Sequence, residues 1–274
     1  MSGYAAFALQ SALSDGNHSV MKRIFNIEVD EALRKQKPQD IYVLKESDIL
    51  HLPVIVQKYL INSGVVGKEK LWNVKITMTG KMRGKENDPW MKIKSVQYNF
   101  FDPYCRYFYI KAYKMGIPAT GLHIYKDESA TMRIKLAGFI TIADAKGPEM
   151  DQGETVTVLN DMFFMAPAAL VTKNIKWEII DPYTVKAIFT NGGQKVSALV
   201  YFDENGLIKN FISNDRYETI DGKEYKNYPW STPVDAYKEM NGYMVPSVAK
   251  AIYHHPEGEF CYAEFIIESI EYNI

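Results

Sequence analysis

Four long polar side chains, Gln97, Arg106, Arg133 and Arg216, stand within otherwise apolar stretches of the sequence. An arginine that a fold encloses stays charged, so it needs a carboxylate, backbone carbonyls or an anionic ligand nearby. Glu154 and Asp161 lie two turns apart on one face of a predicted helix and could supply the carboxylate. The pattern predicts either a structural ion pair or a polar anchor within an apolar cavity, and both alternatives stay open.

Local signatures of catalysis are absent from the sequence. It contains no GxSxG, GxxxxGK[ST], GxGxxG or HExxH motif, which weighs against common hydrolase, P-loop, dinucleotide-binding and zinc-peptidase sites. His254 and His255, followed by Glu257 and Glu259, form a metal-like cluster, but adjacent strand residues point to opposite faces of a sheet. We therefore predict no catalytic residue, no metal site and no cofactor.

Composition restricts the class of partner. The 274-residue chain carries 32 Lys and Arg against 33 Asp and Glu, a formal net charge of -1. Without an excess of positive charge it is not expected to hold a polyanion, so we predict no nucleic-acid binding. Hydrophobic residues make up 47% of the chain, enough for an ordered core, and 19 tyrosines favour a β-rich fold.

Cysteine usage and hydropathy give expectations about the compartment. Cys105 and Cys261 lack CxxC or paired-histidine spacing, so two buried thiols are expected, although a single disulfide bond stays open. No run of about 18 apolar residues occurs. Residues 4–13 make a poor secretory signal, so a cytoplasmic protein is the default expectation. The alternative is a membrane-tethered soluble domain, associated with the membrane through a segment absent from this chain.

The spacing of apolar residues predicts helices in three segments. A surface helix is predicted over 20–36, a second helix over 53–62, and a third over 154–165, after a break at 143–153. The apolar stripe of the second helix must pack on another element. That stripe consists of Leu52, Ile55, Val56, Tyr59 and Leu60.

Alternating apolar and polar residues predict strands through most of the remaining chain. Five strands form a meander over 71–142, and its last strand spans 130–142. Further strands are predicted at 175–181, 184–190, 195–203, 207–213 and 223–228. An irregular segment at 229–233 and a final strand pair that turns at 256–259 complete the prediction.

So many consecutive antiparallel strands exclude a doubly wound α/β fold, in which helices and strands alternate. We predict an α+β, β-dominated fold: a large curled antiparallel sheet, a half-barrel or open barrel, with one or two amphipathic helices packed on it. Residues 1–39 are predicted to form an N-terminal helical extension, and residues 40–274 a single curled antiparallel β domain.

A series of ordered motifs carries a resemblance to a known family. They are Leu52-Pro53-x-x-Val56-x-x-Tyr59-Leu60, Trp90, Gln97, Pro103-x-x-Arg106, Gly116-x-Pro118, Met132, Glu154, Asn160-Asp161, Pro167, Trp177, Phe202-Asp203-x-x-Gly206, Arg216, Pro229-Trp230 and Gly242-x-x-x-Pro246. Over roughly residues 50–274 the chain resembles an uncharacterised, mostly bacterial family of unknown function. The resemblance implies a sheet similar to the half-barrel of the bacterial lipoprotein-carrier superfamily, whose concave face holds acyl chains. It implies no catalytic residue.

Three functions remain open at this point. The first is non-enzymatic binding or carrying of an apolar or amphiphilic, lipid-like small molecule in the concave face of the sheet. The second is an enzyme of unknown reaction, with a site assembled from Arg106, Glu154, Asp161 and Arg216. The third is a structural or interaction protein with a filled core. We favour the first and leave the oligomeric state open. The predicted ligand-binding residues are Trp90, Gln97, Arg106, Met132, Glu154, Asp161, Trp177, Arg216 and Trp230.

Overall fold

The computed structural model describes residues 20–36, 41–114 and 116–274. Residues 1–19, 37–40 and 115 lie outside that description. Of the predicted extension over 1–39, the structure therefore describes only the predicted helix, whose residues 20–35 are helical and form α1.

Two further α-helices follow: α2 spans Val54–Asn62 and α3 spans Pro148–Met165. Short 3-10 turns occupy Glu46–Asp48 and Pro167–Leu170. The prediction placed the start of α3 too late, at residue 154. Pro148 in the first turn is tolerated there, and the acidic Glu149 and Asp151 favour a helix N-terminus, so residues 148–153 of the predicted break are already helical.

The N-terminal half of the sheet is a meander of six strands. They are β1 (Asn73–Met82), β2 (Met91–Phe101), β3 (Tyr104–Lys114), β4 (Ile117–Lys126), β5 (Ser129–Leu136) and β6 (Ile140–Lys146). The single strand predicted at 130–142 was wrong. Ala137 and Gly138 adopt positive φ angles of 51° and 80°, which form a turn and divide the segment into two strands.

The C-terminal half contributes ten strands. They are β7 (Ile175–Asp181), β8 (Thr184–Asn191), β9 (Gln194–Phe202), β10 (Ile208–Ser213), β11 (Tyr217–Glu218), β12 (Lys226–Asn227), β13 (Trp230–Ser231), β14 (Val234–Met240), β15 (Tyr243–His255) and β16 (Gly258–Tyr272).

Three details of this half differ from the prediction. The strand predicted at 223–228 shrinks to β12, which pairs only with β11 in a small separate sheet. The segment predicted as irregular contains β13, which pairs with both β10 and β15. The strand β14 was not predicted, because most of its residues are exposed and it lacks the alternation that identifies a half-buried strand.

The large sheet is antiparallel and open. Its strand order is β6-β5-β4-β3-β2-β1-β16-β15-β13-β10-β9-β8-β7, with β14 added through a pairing with β15. The two ends of this order, β6 and β7, are the strands that α3 connects in sequence. The predicted β-dominated α+β fold, a curled half-barrel with helices packed on it, is confirmed.

The two halves of the sheet meet where β1 pairs with β16. Their register runs from Val74 opposite Tyr272 to Met82 opposite Ala263, with an irregularity after Thr77. Gly80, with a φ of 150°, lies within this pairing, and a Cβ atom there would be 2.0 Å from the carbonyl oxygen of Glu264. Only glycine allows the two backbones to approach this closely.

Helix α3 fills part of the concave face of the sheet. Every residue from Gly153 to Met165 is buried, and α3 contacts strands of both halves of the sheet. A helix enclosed on all sides carries few exposed polar positions, so the amphipathic pattern expected of a surface helix is weak in α3.

The other two helices also cover the sheet. Met21, Phe25 and Val29 of α1 pack with Tyr107 and Tyr109 of β3 on the convex face, because these tyrosines alternate with the inward-facing residues of the strand. The predicted stripe of α2, from Leu52 to Leu60, is buried as expected. The hydroxyl of Tyr59 donates a hydrogen bond to the carbonyl of Phe163 at 2.5 Å, which joins α2 to α3.

Candidate functional site

A cavity of about 460 Å³ lies between α3 and the concave face of the sheet. Its walls are mostly apolar side chains from both halves of the sheet and from α3. They include Met78, Met91, Phe108, Ile110, Met132, Ile134, Ile142, Phe164, Trp230, Phe260 and Phe265. Polar side chains are concentrated where α3 passes over β2, β3 and β4, and these groups form the candidate site.

Strand register places these polar groups in two neighbouring rows across the sheet. Gln97 of β2, Phe108 of β3, His123 of β4 and Met132 of β5 lie opposite one another in succession. Asn99 and Arg106 face each other in the next row. Because residues two apart in a strand share a face, Gln97 and Asn99 both point at α3.

Arg106 is buried and its guanidinium binds three side chains. Its Nε donates to Asp161 Oδ2 at 2.8 Å, its Nη1 to Glu154 Oε2 at 3.1 Å, and its Nη2 to Gln97 Oε1 at 2.9 Å. Both acidic partners proposed from the sequence are therefore in contact with it. Arg106 is compensated by the protein itself and ties β3 to α3.

One oxygen of Asp161 collects several donors. Besides Arg106, the side-chain amides of Gln97 and Asn99 each donate to Asp161 Oδ2 at 2.8 Å. The amide of Gln97 also donates to Asn99 Oδ1 at 2.9 Å. This network fixes the rotamers of all four side chains, since each one holds another in place.

Glu154 lies between Arg106 and His123. Its Oε1 is 3.5 Å from His123 Nδ1. That ring nitrogen is buried and has no hydrogen-bond partner among the described residues. Burial alone would raise the pKa of Glu154, but the charges of Arg106, His123 and Arg216 outweigh it and hold that pKa well below its usual range.

The pKa of Asp161 is shifted in the opposite direction. Burial is the stronger influence there and raises the pKa of Asp161, against the opposing effects of Arg106 and Asn99. The environment therefore favours the ionised form of Glu154 and, relative to a free aspartate, disfavours the ionised form of Asp161.

Arg216 lies in the loop just before β11 and contacts α3. Its Nη1 donates to the carbonyl of Gly153 at 2.9 Å and to the hydroxyl of Thr157. Its guanidinium lies over the Trp230 ring, 4.6 Å from the ring centroid, and its Nε is buried without a hydrogen-bond partner among the described residues. This arginine has unused donor capacity at the cavity wall.

The structure brings seven of the nine predicted site residues to the cavity wall: Gln97, Arg106, Met132, Glu154, Asp161, Arg216 and Trp230. Trp90 and Trp177 do not line it. Trp90 lies beside the β1–β2 hairpin, covered by Lys81 and Arg83, and Trp177 packs edge-on against Phe163. Trp90 therefore packs on the hairpin, and Trp177 packs on the core.

Two site residues were missed from the sequence. Asn99 follows Gln97 by two positions, so strand alternation already placed it on the inward face. His123 could be found only from the register between β3 and β4, which the sequence does not specify.

The remaining reactive side chains lie apart from this site. Cys105 and Cys261 are both free thiols, so the disulfide bond that the sequence left open is not formed. His255 Nε2 lies 2.9 Å from Glu218 Oε2, and His254 Nε2 lies 2.8 Å from Ser231 Oγ. Over the described ranges, no group of three or more His, Cys, Asp or Glu residues could hold a metal ion.

None of the described helices is long and apolar enough to cross a membrane.

Comparison with known proteins decides the family. The profile of DUF6544, described as a family of unknown function, matches residues 42–265. The chain belongs to the DUF6544 family. Its membership confirms the predicted resemblance to an uncharacterised family. None of the curated proteins matches this DUF6544 member.

Several solved structures resemble this DUF6544 chain at low sequence identity. A DUF1329 family protein from Desulfovibrio piger matches with a TM-score of 0.44 and 9% identity, covering 74% of this chain and 87% of its own. A putative outer membrane lipoprotein-sorting protein domain from Vibrio parahaemolyticus gives 0.41 and 10%, covering 80% and 91%. A LolA superfamily protein from Nitrosomonas europaea gives 0.37 and 7%, covering 79% and 91%.

Proposed function

We propose that this protein binds an apolar or amphiphilic small molecule in the cavity between α3 and the concave face of the sheet, without transforming it. The observation that carries the proposal is the cavity itself, whose volume of about 460 Å³ falls in the range of small-molecule sites. Apolar side chains of β1 to β6, β15 and β16 form most of its wall. Such a wall binds apolar surface by removing it from water.

The cavity also weighs against a purely structural role for the sheet interior. A protein with a filled core would pack side chains to the density of an organic crystal and leave few spaces larger than a water molecule. Here the large side chains Phe108, Ile110 and Phe265 pack in the core on one side and border the cavity on the other. A space of this size that persists in the fold favours a ligand over simple packing.

The charged groups at the wall support binding more than chemistry. A general acid or base needs a free position from which to exchange a proton with a substrate. Asp161 Oδ2 already accepts three hydrogen bonds, and Glu154 Oε2 is held by Arg106. These contacts rigidify the site and leave little of it free to react.

A fluorescence titration tests the proposal. N-phenyl-1-naphthylamine, a neutral probe that brightens in apolar surroundings, should bind the purified protein one to one. Ala119→Phe, at a partly buried alanine of the cavity wall, should fill the space and lower the affinity by about tenfold or more. Ala236→Phe places the same side chain on the exposed face of β14 and should leave binding unchanged.

Either of two results would overturn this proposal. The first is the absence of probe binding to the wild-type protein. The second is equal affinity of the two phenylalanine variants, which would place the probe somewhere other than the cavity.

One observation favours an enzyme as the second candidate: two buried carboxylates with pKa values shifted in opposite directions line the same cavity. Native mass spectrometry of the purified protein separates the candidates. A carrier should retain the same molecule in the wild type and in Glu154→Gln. An enzyme should retain product in the wild type and accumulate unreacted substrate in the variant.

A further inference from the structure

We propose that the molecule bound in the cavity carries an anionic head group, a carboxylate or a phosphate, and that Arg216 binds this group. The inference rests on the proposed function and names the chemical class of its ligand. It assigns to Arg216 a role that the two other arginines of the cavity wall do not fill, because Arg106 is held by two carboxylates and both Arg83 Nε and Nη1 donate to backbone carbonyls.

Each nitrogen of the Arg106 guanidinium already has a partner. Its three donor nitrogens are directed at Asp161, Glu154 and Gln97, all within 3.1 Å. A ligand anion would have to displace one of these buried carboxylates from its cation, and an uncompensated buried charge is costly. The ligand must therefore use another group.

Arg216 lacks a carboxylate partner. Its guanidinium contacts the Gly153 carbonyl, the hydroxyls of Thr157 and Tyr253, and the face of Trp230, and no ion pair among the described residues includes it. Its Nε remains buried without a partner. A guanidinium is charged at every physiological pH, and stacking on the Trp230 indole leaves the Nε–H of Arg216 available to an anion.

The groups around Arg216 are compatible with an added negative charge. Glu154 is the carboxylate whose pKa Arg216 helps to lower, yet that carboxylate is bonded to Arg106 and adjoins His123. His123 Nδ1, the other buried nitrogen of this wall without a hydrogen-bond partner among the described residues, already faces Glu154 Oε1 at 3.5 Å, so Arg216 Nε is the donor that an oxygen-rich head group would satisfy.

The apolar wall and Arg216 together define an amphiphile. An oxygen anion at Arg216 would leave the attached chain in the space bordered by Phe108, Ile110 and Ile134. A neutral head group would leave the buried Nε without an anion, and a cationic one would be repelled. A free anion without a chain would gain nothing from the apolar wall.

Displacement of bound N-phenyl-1-naphthylamine compares five competitors of matched chemistry: hexadecanoate, hexadecyl phosphate, hexadecanol, hexadecyltrimethylammonium and inorganic phosphate. We expect hexadecanoate or hexadecyl phosphate to compete about tenfold better than hexadecanol. Hexadecyltrimethylammonium should compete more weakly than hexadecanol, and inorganic phosphate should not compete. This comparison uses the unmodified protein, so it does not depend on any variant folding.

Variants then locate the head group. Arg216→Met should bring the affinity for the anionic competitor down to that for hexadecanol, both measured against the probe in the same folded variant. Arg216→Lys should retain part of the preference. Arg133→Met, at an exposed arginine of β5 outside the cavity, should retain all of it.

The outcomes distinguish this inference from the proposed function. Probe binding with equal competition by hexadecanol and hexadecanoate would overturn the anionic head group and leave the cavity proposal standing. An anion preference that survives in a folded Arg216→Met protein would overturn the role of Arg216. Competition by inorganic phosphate alone would show a free-anion site. Failure of the probe to bind at all would remove both proposals.

Discussion

Arg106 Nε and Asp161 Oδ2 lie 2.8 Å apart and join the middle of β3 to the middle of α3. Both side chains are buried, so the bond forms where water cannot replace either partner. The same guanidinium holds Glu154, one of the two acidic side chains that α3 presents to it. A single cation therefore joins β3 to two successive acidic side chains of α3.

We expect Arg106→Met to lower the free energy of unfolding by about 3–5 kcal/mol, because it leaves two buried carboxylates without their shared cation. Urea denaturation measures this change. Arg133→Met is the control, since Arg133 is half exposed and lies 3.4 Å from Asp144, and it should change stability little. Equal losses in the two variants would contradict the stabilising role of the buried network.

Glu154 should contribute to stability in a pH-dependent way. Its folded-state pKa is lower than its unfolded value of about 4.3, so its contribution is present above that pH and is lost as the pH falls. Asp161 acts with the opposite sign, because its raised pKa makes its contribution decline as the pH rises above about 3.9.

Glu154→Gln should therefore flatten the loss of unfolding free energy between about pH 5 and pH 3. Urea denaturation at a series of pH values measures the slope. Glu149→Gln, on the first turn of the same helix, is the matched control. A slope that Glu154→Gln leaves unchanged would mean that this carboxylate is not held in its ionised form by Arg106.

Two adjacent residues test the packing of α2. Ile55 is 8% exposed and faces the core, whereas Val54 is 79% exposed. Ile55→Asp should lower the free energy of unfolding by about 2–5 kcal/mol, because it buries an unpaired carboxylate and removes apolar contacts. Val54→Asp should have little effect, as measured by urea denaturation. Similar losses would show that the helix does not use this face.

A pair of glycines tests the junction of β1 and β16. Gly67→Ala, at a φ of 83° with no atom within 4 Å of the new Cβ, should cost only the backbone strain of about 1–2 kcal/mol. Gly80→Ala should cost more, because the new Cβ would lie 2.0 Å from the Glu264 carbonyl oxygen. Thermal unfolding followed by circular dichroism compares them. Equal melting temperatures would contradict the close backbone approach.

Sequence periodicity predicted the elements that have one wet and one dry face. The stripe from Leu52 to Leu60 and the strands of the first meander show clear periods of 3.6 and 2, because each buries a single side. Helix α3 is buried all round, so its start could not be read from amphipathicity. The strand β14 is exposed over most of its length and left no pattern either.

The part of the candidate site that could be predicted is the part in which a buried charge requires a partner. An enclosed Arg106 required an acidic partner, and Glu154 and Asp161 share a helical face, so the contact followed from their types. Tryptophan carries no such constraint, since it packs well in many places. The positions of Trp90 and Trp177 away from the cavity depend on strand register and loop geometry that local sequence does not specify.

The position of β16 sets the order of events during synthesis. This strand lies between β1 and β15, so residues 258–272 pair with a strand that left the ribosome almost two hundred residues earlier, as in Val74 opposite Tyr272. Until β16 emerges, the meander β1–β6 and the strands β7–β15 are two separate sheets, each with an unpaired edge. The half-barrel is therefore completed only once β16 has been synthesised, and until then the β16-facing edges of β1 and β15 are unpaired.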